Sequence, residues 1–480
     1  MEKAQSGPIL VTAQVVQCPP VMFFEAALLW ATLMVLGYWW LCGKWKYWEE
    51  LGIPGPTPSL PAGNFGAVMS MKVHLLDWLT KLYQQFPEEK IVGIYSVHQP
   101  VMVVNDPELA RQLLVKDFNH FVDRDTEENV AKLFPGETDR YWLAQMTLKT
   151  GDEWKDIRST FSPIFTSGKM RAMMRFIDKV SESLIQEMDK NTAFEEGFEL
   201  KDTMGKFSLD TLASCAFGVD GQSFEDKESI FVKNAARIFT ITIMDQLKMF
   251  SGLLIPGMAE LFRLLGMNSM KPKQTLFFVD VVKQTIRKRK TSKVRKNDLI
   301  DLMLDAMEGE KEEELEQGED QYDRDMKLTH KANGRSLDEI SFIGTAMVFL
   351  VAGYDTTGMT LSWICYELAK NEDLQRRLQE QVDEVYEAAE GRTPDYHAIQ
   401  GFTFLDQLIQ EALRLHTMIS IQRVLTSPEY TIPGTNILMK KGSMVLINAA
   451  GIHSDPKYFP NPTQFNPDNF SKEAKASRSP

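Results

Sequence analysis

Three short patterns place reactive or ion-pairing side chains at helical spacing. The first, Ala352-Gly353-Tyr354-Asp355-Thr356-Thr357, lies inside the apolar run 334–370. Asp355 and Thr356 are polar groups in apolar surroundings, so each needs a partner or water. Together they suit a short proton relay; the alternative is a helix kink satisfied by its own side chains. Gly353 costs a helix about 1 kcal/mol relative to alanine and in return admits a flat or bulky neighbour. The second pattern is Glu411 and Arg414, which share one helix face at i, i+3 and can pair, a structural role. The third joins Trp154 and Arg158 at i, i+4. An indole N–H and a guanidinium suit an anion, or form an ordinary surface pair.

These residues need long helices to position them. Apolar periodicity predicts helices over 168–190, 229–247, 271–290 and 337–370, the last spanning roughly 50 Å. Ser336 and Glu339 have the spacing of a capping box at its start. Alternating segments at 91–104 and 432–447 each predict a hairpin pair. The expected body is therefore mainly α with a small β region. Positions 305–325 carry eleven acidic residues without an apolar stripe and predict a solvated loop. The eight basic residues of 283–296 predict the solvated end of a surface helix.

The chain has 480 residues, 44% hydrophobic and 25% charged, with a net charge of -13. That balance excludes a chain disordered throughout and a polytopic membrane protein. An acidic surface repels phosphate backbones, which argues against a nucleic-acid partner. Cys18, Cys42, Cys215 and Cys365 lie far apart with no CxxC, excluding zinc clusters and disulfide-dense scaffolds. Residues 21–42 are apolar apart from Glu25, and Tyr38, Trp39, Trp40, Trp45, Tyr47 and Trp48 fit an interfacial end followed by Lys44 and Lys46. This predicts an N-terminal transmembrane helix rather than a signal peptide or a core helix. The expected organisation is a lumenal 1–20, an anchor at 21–43, a basic and proline-rich hinge at 44–63 and a cytosolic body at 64–480.

Taken in order, the anchor followed by PGP, the G-x-x-W-x-x-x-R stretch at 151–158, FSLDTLASCAFGVD (207–220), AGYDTT, E-x-x-R and HSDPKYFPNPTQFNPDNF (453–470) resemble the cytochrome P450 family of microsomal type. The resemblance covers residues 20–480 and looks closest to vertebrate drug- and steroid-oxidising and arthropod detoxification members. It implies the P450 fold, haem b and electrons from NADPH through a reductase, with cytochrome b5 as a further partner. It also implies an endoplasmic reticulum membrane location and an oily small-molecule substrate. Trp154 and Arg158 would hold a haem propionate, with Arg423 near another. Ala352 and Gly353 would let the long helix approach the porphyrin, Asp355 and Thr356 would deliver protons to dioxygen, and Glu411 and Arg414 would brace the core. The activity expected is oxygen insertion. The rivals are a P450-like isomerase or dehydratase of oxygenated lipids and a non-catalytic anchored module.

The pattern breaks in three places. The F-x-x-G-x-R-x-C-x-G loop that supplies the family's thiolate ligand does not occur before Pro480, so no residue of this chain is expected to bind the iron and the sequence reads as a fragment, inactive by itself. Asn469 stands where an arginine is usual, and Thr417 where a proline is usual. Both changes predict lower stability or cofactor retention. Pocket walls around 120–146 and 231–260, with Phe134, Phe239 and Phe250, are apolar and aromatic without naming a substrate.

Overall fold

The structure is a computed structural model describing residues 43–190, 198–308 (except 220, 226–228, 239, 241, 256 and 293–297) and 338–478, with 28, 32 and 35–40. Helices of ten or more residues are labelled α1 Leu75–Gln85, α2 Gly151–Phe161, α3 Ser167–Lys190, α4 Leu200–Phe217, α5 Ile243–Leu254, α6 Pro272–Ser292, α7 Leu299–Glu308, α8 Glu339–Lys370, α9 Glu372–Ala388 and α10 Thr403–Leu415. The strands are β1 Ile91–Ser96, β2 Gln99–Val104, β3 Ile421–Val424, β4 Glu429–Thr431, β5 Leu438–Lys440 and β6 Met444–Ile447. A mainly helical domain with a small β region is therefore observed.

The long helix α8 runs through the domain. Phe342, Ile343, Ala346, Met347 and Leu350 bury one side of it in the main helical core. Its start is set by Asp338, whose carboxylate accepts the Ser341 N–H at 3.0 Å. The cap is thus Asp338 rather than Ser336, which lies outside the described residues. Glycines let α8 and α4 touch backbone to backbone: a Cβ on Gly358 would stand 3.0 Å from Gly205 Cα and N.

β1 and β2 form the expected antiparallel hairpin, with Ile91 opposite Val104 and Ser96 opposite Gln99. The sheet continues in the order β1-β2-β6-β3, with β6 parallel to β2 and antiparallel to β3. Both faces are covered. Tyr95, Met102 and Val445 pack on one side; Val92, Ile94 and Val103 meet Leu76, Leu79 and Leu82 of α1 on the other. The segment 432–447 is not one hairpin. β4 and β5 pair with each other, while β6 joins the larger sheet. Likewise 229–247 is two helices, Ile230–Ile238 and α5, the latter started by a Thr242–Asp245 capping box.

The expected N-terminal transmembrane helix preceding the domain needs correction. Among the described residues, the helix long and apolar enough to cross a membrane is α8, far along the chain and half buried in the domain. Most of 21–43 lies outside the described residues, as do 309–325 of the acidic block. The rings at 45–48 serve the fold instead. Trp48 is buried, donates its indole N–H to Ile94 O at 2.8 Å and occupies the space where Gly93 has no side chain. Trp45 donates to Val97 O at 2.7 Å, and the proline-rich segment joins the sheet through Gly93 N to Pro54 O at 2.8 Å.

The α4–α8 contact leaves no room for a branched side chain. Gly358→Val is expected to cost about 2 kcal/mol through overpacking, read as a lower midpoint in urea unfolding with an unchanged slope.

Candidate functional site

α10 carries Glu411 and Arg414 into the interior, where both are essentially without solvent. Their fork is bidentate: Arg414 Nε and Nη2 each donate to the carboxylate at 2.7 Å. The remaining guanidinium hydrogens reach His453 O at 2.9 Å, Pro462 O at 2.8 Å and Gln464 O at 3.2 Å. Glu411 Oε1 also accepts Asn466 N–H at 2.8 Å and the Asn469 side-chain amide at 3.2 Å. Asn469 thus reaches the carboxylate itself. Thr417 is also employed, donating to Arg414 O at 2.7 Å and meeting His453 Nδ1 at 2.9 Å.

A cavity of about 790 Å³ opens between α8 and the end of α10. Asp355, Thr356, Met359 and Trp363 line it from α8, facing Arg414, Thr417 and His453. Thr356 donates its hydroxyl hydrogen to Ala352 O at 2.6 Å, leaving its oxygen lone pairs as acceptors. Asp355 lies 3.6 Å from Lys201 Nζ, a half-exposed pair of little energetic weight. Gly353 is turned elsewhere. A Cβ there would strike Leu212 at 2.8 Å, and Gly353 O accepts the Ser208 hydroxyl at 2.9 Å. Ala352 occupies an exposed position on the helix.

Trp154 and Arg158 lie on α2 and are not among the residues lining that cavity. Asp123 links their helix to Arg423: its carboxylate accepts Gly151 N–H at 2.8 Å, and its carbonyl accepts Val424 N–H at 2.9 Å. Burial raises the Asp123 carboxyl, while the Gly151 amide and the charges of Lys155, Arg423 and Lys441 act against that rise. Arg124 belongs to the same corner, its carbonyl accepting from Gln422 at 3.2 Å, and desolvation lowers its guanidinium pKa. Sequence reasoning missed Arg124 because a single arginine in a loop has no periodicity. It also missed His453, whose imidazole is pushed down to about 4 by burial first and by the Arg414 charge second.

Neither described cysteine is placed to ligate a metal. Cys215 packs in the helical core, where burial raises its thiol to about 11. Cys365 is likewise raised by burial. No group of three or more His, Cys, Asp or Glu among the described residues is arranged to hold a metal ion. Phe239 lies outside the described residues.

A family model described as Cytochrome P450 matches residues 53–480. Probable cytochrome P450 9f2 of Drosophila melanogaster is 29% identical over 467 residues, 96% of this chain and 87% of that protein. Cytochrome P450 6B7 of Helicoverpa armigera is 30% identical over 464 residues, 96% and 85% of the two chains. Cytochrome P450 6k1 of Blattella germanica is 29% identical over 462 residues, 95% and 84%. Two parts of this structure carry side chains suited to a haem: the Asp355–Thr356 stretch of α8 beside the cavity, and the corner around Asp123, where Lys155, Arg423 and Lys441 supply positive charge. The described cysteines do not fit its iron.

Removing one partner of a buried, multiply bonded ion pair leaves the other charge stranded. Arg414→Ala is expected to cost about 4 kcal/mol, and Arg414→Lys to recover little of it, since one ammonium cannot serve this fork. Denaturant midpoints measure both. His453 adds a pH dependence. Its ordinary value is 6.5 and its folded value about 4, so as pH falls between these the unfolded chain gains a proton that the folded chain refuses. Folded stability should decline across that window by roughly 3 kcal/mol. His453→Gln should flatten this part of the stability–pH curve.

Proposed function

The chain belongs to the cytochrome P450 family, and from that premise we propose that, in a protein that also supplies the thiolate ligand these residues lack, it acts as a haem-thiolate monooxygenase on an apolar organic substrate, a xenobiotic, steroid or lipid, while the 480 residues alone are inactive. The observation carrying this reading is Asp355 and Thr356 side by side on the cavity wall, with the threonine hydrogen already committed to its own helix. When bound, haem b supplies the activation of dioxygen, with electrons drawn from NADPH through a flavoprotein reductase and cytochrome b5 as a further donor. An endoplasmic reticulum membrane location belongs to the same reading.

The protein's own groups divide the remaining work. Trp154, Arg158, Arg423 and Arg124 would hold the anionic edge of the cofactor with indole and guanidinium donors. Ala352 presents only a methyl on the exposed side of α8, while Gly353 secures the helix against α4. Thr356 Oγ1 accepts a hydrogen bond from water and so fixes where that water sits. Asp355, held only loosely by Lys201, takes protons from solvent on its carboxylate and returns them to that water.

This reading is tested in a protein extended with the family's cysteine-ligand loop, loaded with haem and supplied with reductase and substrate. Thr356→Ala is expected to lower product formation about 10-fold, roughly 1.4 kcal/mol of transition-state stabilisation. NADPH consumption should fall much less, the difference appearing as peroxide or water. Unchanged product yield per NADPH, at matched haem content, would leave Thr356 as a helix-bending residue only.

A further inference from the structure

The turn Pro467–Phe470 closes the chain over Glu411. Its contribution from Asn469 is short and neutral, a single amide bond of 3.2 Å to a carboxylate with no solvent. Nothing in Asn469 itself explains why its side chain stays there. Nine residues on, at the C-cap of the helix Lys472–Ser477, Arg478 turns back over the same turn. Its Nη2 donates to Asn469 O, and its guanidinium lies 4.5 Å from the Phe459 ring centre and 5.1 Å from that of Phe470. Phe459 also takes the Arg414 guanidinium at 5.0 Å, so one ring is shared by two cations.

We infer that Arg478 completes the Glu411 lock as a positioning residue: it clamps the backbone of Asn469 while stacking on Phe459 and Phe470, and so holds the Asn469 amide and the Asn466 N–H against the buried carboxylate. Planarity is part of the argument. A guanidinium can hydrogen-bond in its plane and lie on a ring with its face, which an ammonium cannot do. Charge is divided, and only Glu411 favours the cation at this place. Burial lowers the Arg478 pKa and Arg414 adds to that, while Glu411 opposes both. An arginine at 469 would reach the carboxylate directly; here that duty is divided between a neutral donor at 469 and a cation at 478.

The alternative is that Arg478 only finishes the helix Lys472–Ser477, and two readouts separate them. Hydrogen exchange at the Asn466 amide reports the lock directly. In the full chain, Arg478→Ala should speed that exchange about tenfold, as local opening becomes easier, while amides in the middle of α8 keep their protection. Arg478→Lys should behave like Arg478→Ala. Asn469→Arg, added to Arg478→Ala, should restore protection at Asn466. Failure of Arg478→Ala to fold, with the double variant folded, supports the clamp equally. Unchanged exchange at Asn466 in Arg478→Ala, or no restoration by Asn469→Arg, or failure of both variants to fold, overturns it.

Discussion

A carboxylate with no solvent has to be given donors, and the placement of Glu411 imposes that demand on everything C-terminal to α10. Its two oxygens take four hydrogen bonds, from both ends of the Arg414 fork, from Asn466 and from Asn469. Arg414 then reaches three carbonyls spread over residues 453–464. A desolvated pair of this kind gains little net stability over an apolar pair of the same shape, yet is severe when broken. What it contributes is geometry. A segment without regular secondary structure over most of its length is fixed by directional bonds, and one wall of the cavity is made from it.

The opposite wall depends on close packing rather than charge. α8 lies against α4 through Gly205 and Gly358, and through Leu212 filling the space at Gly353. Bringing two backbones this near sets the rotation of α8, and rotation decides which residues meet the cavity. With Gly353 and Gly358 both directed at α4, the helical step of about 100° per residue puts Asp355 and Thr356 each roughly 130° from the centre of that contact, on the open side. A small residue in this motif therefore shapes the cavity indirectly, by packing against α4 so that its polar neighbours line the open side.

Local structure was legible from local residue patterns. The helices over 167–190, 272–292 and 339–370 and the hairpin at 91–104 follow directly from apolar period, and Glu411–Arg414 follows from i, i+3 spacing. Features decided by distant partners were not legible. Whether Met444–Ile447 pairs with its neighbour or with β2, some 340 positions earlier, depends on which edge is free once the sheet assembles. The rings at 45–48 suit a membrane interface and a sheet face equally well by composition; Gly93, making room for Trp48, decides between them, and it lies 45 residues away. At the helix start, Asp338 and Ser336 are both good caps by type, and only the backbone shows which side chain accepts the Ser341 amide.

The substitutions expected to weaken the core show the same dependence on distant groups. Thr417, standing where proline is usual, brings a hydroxyl that joins Arg414 O to His453, and His416 beside it pairs with Glu367 at 3.0 Å while stacking on Trp363 at 3.9 Å. A proline has no such hydroxyl, so the change exchanges backbone stiffness for a polar bridge. His453 stays neutral beside it, since burial first and the Arg414 charge second disfavour an imidazolium there. A motif position that departs from its family pattern is thus judged by the donors and acceptors around it, because a buried carboxylate or imidazole responds to the whole set of partners and not to any one of them.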